Sequence, residues 1–351
     1  MAAARREPPA AIAAVLILSA AAAGGSAAFN LKPIAFDRGY APLFGEENIV
    51  RSAGGGTVKI LLNRFTGSGF ISSDLYYHGF FSASIKLPSD YTAGVVVAFY
   101  VSNGMSNGDI FEKNHDELDF EFLGNVRGKE WRIQTNVYGN GSTSRGREER
   151  YQLPFDPTVE AHRYSILWTN TTITFYIDDT PIRVVVRNTA MAGDFPSKPM
   201  SIYATIWDGS TWATGNGKYK VDYKYAPFAA EFSDLVLDGC RMDPIQHLPE
   251  QCREAEAETS AADRTAISQE KRRDMLRFRQ RLMTYTCCYD EVRYPAGLPE
   301  CEAADEADKE RYWKSGDIKV QPKPAVRRRR RRRSSRARVR VDDNSKVKAD
   351  A

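Results

Sequence analysis

From residue 29 to about 239 the chain alternates hydrophobic and polar positions in short runs, with no long stretch at helical spacing. Runs at 58–62, 80–87, 94–100, 131–137, 164–168, 172–177, 182–186 and 201–206 are rich in Val, Ile, Phe, Tyr and Thr and predict strands. Polar clusters such as Ser102-Asn103-Gly104 and Asn107-Gly108 separate them as turns. Residues 172–182 read as a hairpin closed by Asp178-Asp179. Many short strands with turn signals at about 8–12-residue spacing predict an all-β sandwich or jelly roll. After Cys240 the character changes. Charged residues over 260–283 surround Ile267, Met275, Phe278 and Leu282, which predicts one helix with a single apolar stripe to lay on the sandwich.

One strand stands apart chemically. In His115-Asp116-Glu117-Leu118-Asp119-Phe120-Glu121-Phe122 a period of two puts Leu118, Phe120 and Phe122 on one face and His115, Glu117, Asp119 and Glu121 on the other. The apolar face packs into a core. The other carries three carboxylates in line, which repel one another and raise the cost of ionising all three. A solvated acidic edge strand is one reading. Glycoside hydrolysis is the other, because it needs paired carboxylates on one surface. A retaining mechanism places the two groups roughly 5–5.5 Å apart, whereas residues four apart on a flat strand have Cα atoms roughly 13 Å apart. Glu117 and Glu121 therefore need a curved sheet and side chains that lean together. Asp119, between them, is placed to share a proton and keep the acid protonated near neutral pH.

The ends of the chain change the picture. Arg5 and Arg6 precede an apolar run from Ala10 to about Ala23, followed by small residues to Ala28. That is the pattern of a secretory signal peptide, too short to cross a bilayer, with cleavage expected after Ala28. A soluble secreted protein with no membrane span is expected. All five cysteines lie late, at Cys240, Cys252, Cys287, Cys288 and Cys301, so disulfides are expected in the last third. No metal site is expected, since no C-x-x-C pair occurs and adjacent cysteines are poor ligand spacing. The net charge of +4 comes from the tail: residues 321–351 hold 13 Lys/Arg against 3 Asp/Glu, a local +10, leaving −6 for residues 1–320. Sequons stand at Asn140 and Asn170, both in predicted turns.

The acid strand with Leu123-Gly124 resembles the active-site strand of plant xyloglucan endotransglucosylase/hydrolases, in glycoside hydrolase family 16, with Leu118 where the family usually has Ile. Further motifs share the resemblance: Gln134-Thr135-Asn136-Val137-Tyr138, Gly146-Arg147-Glu148-Glu149, the tryptophan loop from Ile206 to Thr214, and a C-terminal extension from Tyr285 to Cys301. The resemblance covers the chain from Phe29 to about Cys301. It implies a concanavalin-like β-jelly-roll with a small disulfide-stapled C-terminal extension containing a helix. The expected division is signal peptide 1–28, catalytic domain 29–239, extension 240–315 and basic tail 316–351.

By the same resemblance Glu117 is the nucleophile, Glu121 the acid/base and Asp119 the helper. Substrate contacts are expected from Glu121, Gln134, Thr135, Asn136, Gly146, Arg147, Glu148, Trp207, Trp212, Ala213, Gly217 and Arg293. His115 is expected to hydrogen-bond the acids. The tryptophans offer flat apolar platforms for pyranose rings, with a core role as the alternative, and Arg147 and Arg293 have the alternative of surface salt bridges. Cys240 is expected to pair with Cys252 and Cys288 with Cys301, leaving Cys287 as the odd thiol. Each pair closes a loop of about a dozen residues, worth on the order of 3 kcal/mol in the chain-entropy model. Asn125-Val126-Arg127 lacks the sequon usual after the acid strand, and Asn140 is expected to take over its shielding role.

The implied activity is transfer of a glycosyl-enzyme from a xyloglucan donor to a xyloglucan or oligosaccharide acceptor, without a cofactor, by a monomer secreted to the cell wall and apoplast. A mainly hydrolytic enzyme and a non-catalytic glycan-binding jelly roll are the competing readings. Seven consecutive arginines, the first Arg327 and the last Arg333, would suggest nucleic acid in a cytosolic protein. The signal peptide argues against that, and an electrostatic tether to acidic pectin or a site of proteolytic trimming is expected instead, with a solvated disordered tail of no specific partner as the alternative.

Overall fold

The computed structural model describes residues 31–104, 115–141, 146–242 and 267–301, with Cys252 and Glu310 singly. The expected signal peptide, the residues 260–266 expected at the start of the helix, and the basic tail lie outside the described residues. The strands in chain order are β1 Tyr40–Phe44, β2 Ile49–Arg51, β3 Thr57–Leu62, β4 Ser68–Ser72, β5 Leu75–Lys86, β6 Val95–Ser102, β7 Glu117–Leu123 and β8 Arg132–Tyr138. They continue as β9 Glu149–Gln152, β10 His162–Trp168, β11 Thr172–Ile177, β12 Thr180–Val186, β13 Ser201–Asp208, β14 Phe228–Met242 and β15 Met283–Thr286. Two antiparallel sheets result. One runs β1-β4-β13-β6-β7-β8-β9-β15 and the other β12-β11-β10-β5-β14-β3-β2.

The alternation read from the chain is the packing. Leu118, Phe120 and Phe122 of β7 are fully buried in the core between the sheets. There Phe120 meets Tyr164 and Phe175 edge-on at 5.7 and 5.2 Å, and Phe122 meets Tyr164 at 4.7 Å. On neighbouring strands Val97, Phe99 and Val101, Ile133 and Val137, and Ile202, Ala204 and Ile206 face the same core. The opposite parity therefore forms the outer face of the first sheet. The hairpin closes at Asp178, which adopts a left-handed backbone (φ 52°).

The helix Gln269–Leu282 is capped by Ser268, whose side chain accepts from the backbone N–H of Lys271 at 3.2 Å. Its Phe278 lies 5.7 Å from Tyr151 and packs on the core. Arg279 fixes it further, donating to both carboxylate oxygens of buried Glu149 at 2.6 and 2.8 Å. β15 then pairs with β9, so the C-terminal extension lengthens the sheet that carries the acids. Cys240 is bonded to Cys252 and Cys288 to Cys301, and Cys287 is a buried free thiol.

Candidate active site

Register sets the site. β7 is the fifth of eight strands, so its acids stand near the middle of the outer face. Glu121 is paired across the strands with Ala98 on one side and Gln134 on the other, and Asp119 with Tyr100 and Asn136. Glu117 is paired with Ser102 and Tyr138. The three acids thus sit among small residues, tyrosines and amides.

Each carboxyl has a different environment. Burial raises the Glu121 carboxyl most, to about 7; donation by Gln134 and the charge of Arg150 pull down, while Glu148 and Glu117 push up. Gln134 is itself oriented, because Arg150 Nε donates to its Oε1 at 2.6 Å and so turns its Nε2 toward Glu121 Oε2. Burial also holds Asp119 well above the usual carboxylate range, helped by the charges of Glu117 and Glu121 and a hydrogen bond with Glu117. His115 Nε2 lies 3.2 Å from Glu117 Oε2. The three carboxyls thus stand side by side in unequal surroundings, and glycosidic cleavage needs such a difference between its acid and its nucleophile.

Asp116, on the other side of the strand, anchors it: its carboxylate is fully buried and accepts from the backbone N–H groups of Asn140, Ser197 and Lys198 and from Lys198 Nζ at 2.7 Å. The strand is therefore held from below while the acids stay on the outer face.

The remaining expected residues divide. Trp207, next to the last residue of β13, lies on the outer face and is half-buried, with Trp212 6.0 Å away in the following loop. Ala213 donates its N–H to Gly209 O at 2.9 Å, and Gly217 closes the loop with φ +78° at a point where a Cβ would come within 2.3 Å of Thr211 O. Trp131 and Trp168 are the core tryptophans, each anchored through its indole N–H, to Pro88 O and Pro196 O. Arg293, from the extension, pairs with Glu148, and the Tyr294 hydroxyl donates to Gly146 O.

Two residues turn their side chains away from the outer face. Thr135 turns to the core, where its hydroxyl accepts from Arg183 Nη1 at 3.0 Å. Arg147 is fully buried, with Asp194 at 3.0 Å and Glu300 as its partners, so it braces the extension against the sandwich and is not a surface salt bridge either. Asn140 and Asn170 are exposed. Tyr100 and Tyr203, stacked at 4.9 Å beside Asp119, and Arg150 are site residues the motif reading missed. The alternation along 94–100 and 201–206 contains the signal for both tyrosines. The sulfurs of Cys287, Cys288 and Cys301 cluster within 4.8 Å, but two of them are bonded to each other and unavailable to a metal.

A two-sheet antiparallel sandwich with in-line carboxyls near the middle of one outer face has the build of a jelly-roll glycoside hydrolase. A family model for glycosyl hydrolases family 16 matches residues 36–225, and one for the xyloglucan endo-transglycosylase C-terminus matches residues 255–301. Probable xyloglucan endotransglucosylase/hydrolase protein 30 of Arabidopsis thaliana is 58% identical over 294 residues, covering 84% of each chain. Protein 27 of the same series and organism is 60% identical over 273 residues, covering 78% of this chain and 80% of that one. A solved Bacillus licheniformis beta-glucanase aligns at 22% identity with a TM-score of 0.44, over 56% of this chain and 89% of that one. The chain belongs to glycosyl hydrolase family 16 and, within it, to the xyloglucan endotransglucosylase/hydrolases.

Proposed function

We propose that this protein is a secreted xyloglucan endotransglucosylase that cuts the β-1,4-glucan backbone and passes the cut end to another xyloglucan chain. The observation that carries the reading is the unequal environment of the acids on β7: Glu121 is raised to about 7, while Glu117 is held by His115. In the first step a Glu117 oxygen attacks the anomeric carbon, the glycosidic C–O bond breaks, and the leaving oxygen takes the proton of Glu121. In the second, the acceptor hydroxyl gives its proton to Glu121 as its oxygen displaces Glu117. Asp119 is the helper that hydrogen-bonds Glu117 and releases it as charge moves. Trp207 and Trp212 offer ring faces to sugars, and Gln134 and Asn136 offer amides to hydroxyls.

The division into a catalytic domain over 29–239, an extension over 240–315 and a basic tail belongs to the same reading. So does work as a monomer at the cell wall and apoplast, with sugars on Asn140 and Asn170 and the tail held by acidic pectin. Two disulfides fit an oxidising compartment, and both asparagines are exposed. Incubation of the enzyme with xyloglucan and a labelled oligosaccharide acceptor tests the activity. Label should enter polymer with few new reducing ends; reducing ends without label would make the enzyme a hydrolase, and neither would leave a glycan-binding protein.

A further inference from the structure

The outer face carries one continuous cross-strand row through Glu121. From the first edge strand it reads Phe44, Gly69, Thr205, Ala98, Glu121, Gln134, Arg150 and Tyr285, each paired with the next. The two halves differ in chemistry. From the acid toward the extension the row is polar and ends where Arg150 stacks on the Tyr285 ring at 5.0 Å. From the acid toward β1 it is a floor of small residues that ends at Phe44, 39% exposed.

Phe44 lies on this face. A Cβ built on Gly69 would come within 2.9 Å of its Cε1 and 2.8 Å of Thr205 Cγ2, so the ring occupies the space the glycine leaves, beside the Thr205 methyl. Four strand spacings of about 4.8 Å put Phe44 about 19 Å from Glu121. An extended β-1,4-glucan bound at the acids and lying along the row reaches that far after a few sugars. It carries apolar C–H faces that a phenyl ring binds, and the small side chains between leave room for branches.

We propose that Phe44 is a distal sugar-binding platform that stacks a backbone glucose of an extended β-1,4-glucan chain remote from the bond being cut. This rests on the reading of the enzyme as one acting on xyloglucan. The platform contributes only when the chain is long enough to reach it, so it makes the enzyme prefer polymer over short oligosaccharide.

The test uses a Glu117→Ala background, which prevents turnover, and calorimetric titration with xyloglucan oligosaccharides and unsubstituted cello-oligosaccharides of increasing length. Adding Phe44→Ala should leave short ligands unaffected and weaken long ones by about 3–10-fold, the worth of one aromatic stacking contact. Phe44→Trp should restore the gain with length, and melting curves show whether each variant is folded. Equal affinity for long chains of both kinds with and without the Phe44→Ala change overturns the platform, as does loss of short and long ligands alike in a folded Phe44→Ala protein. Dependence on Phe44 with cello-oligosaccharides but no binding of xyloglucan keeps the platform and removes the xyloglucan reading. Binding of neither glucan with Phe44 intact removes both.

Discussion

Glu121 keeps its proton to about pH 7 because burial and two neighbouring carboxylates outweigh the Gln134 hydrogen bond and the Arg150 charge. As the proposed acid it is active when protonated, so kcat/KM should fall as pH rises through about 7. Glu148→Gln removes a charge that pushes Glu121 up and frees Arg293 beside it, so the falling limb should move to lower pH; an unmoved limb would separate Glu148 from the acid. Glu121→Gln should lower kcat by about 10²–10⁴-fold, the usual worth of a general acid, and remove that limb. The positions of the acids and the amides were legible at this scale because they follow a period of two on short strands, and those of the tryptophans because both fall in one short motif. Thr135 illustrates the limit of motif reading: since it lies between Gln134 and Asn136, its side chain had to face the core, as the alternation already implied. Arg147 was not legible, since its partners Asp194 and Glu300 are distant in the chain and only the fold brings them to it.

At the scale of elements, strands with unbroken alternation were legible and bulged or short ones were not. β14 spans fifteen residues in the interior of the second sheet, yet it escaped the reading. Phe228, Ala230 and Phe232 face the core, but the register shifts between Ser233 and Val236, Asp234 turns left-handed (φ 49°), and Leu235 takes the core position with the opposite parity. A period-two pattern cannot survive that change of phase. The helix was legible from its stripe, but not its anchor. Burial alone would raise the Glu149 carboxyl, yet the charges of Arg279 and Arg183 and the hydrogen bonds from Arg279 and Tyr151 bring it down to about 2. With the folded value below the usual 4.5, the pair stabilises the fold above about pH 4.5 and that contribution is lost as pH falls toward 2. The contribution is on the order of 3 kcal/mol. Denaturant unfolding at pH 7 and pH 3 should therefore show a smaller difference in Arg279→Met than in the native protein. The same pH dependence in both would mean that Arg279 does not anchor the helix.

For the whole molecule, charge is divided between a sandwich that sums to −6 over residues 1–320 and a tail of +10. Deleting residues 321–351 should abolish salt-sensitive retention on pectin while leaving transfer to a soluble acceptor unchanged. Retention that survives the deletion would remove the tether. The extension matters to the enzyme in a different way, because β15 continues the acid-bearing sheet and Arg293 reaches Glu148. Fold and chemistry meet in one strand, whose apolar side builds the core and whose acidic side is proposed to do the reaction. Trapping the glycosyl-enzyme with a slow-turnover xyloglucan-oligosaccharide donor, followed by peptide mass analysis, tests that proposal most directly. The sugar is expected on Glu117; a covalent adduct on any other residue, or full activity in Glu117→Ala, would contradict it.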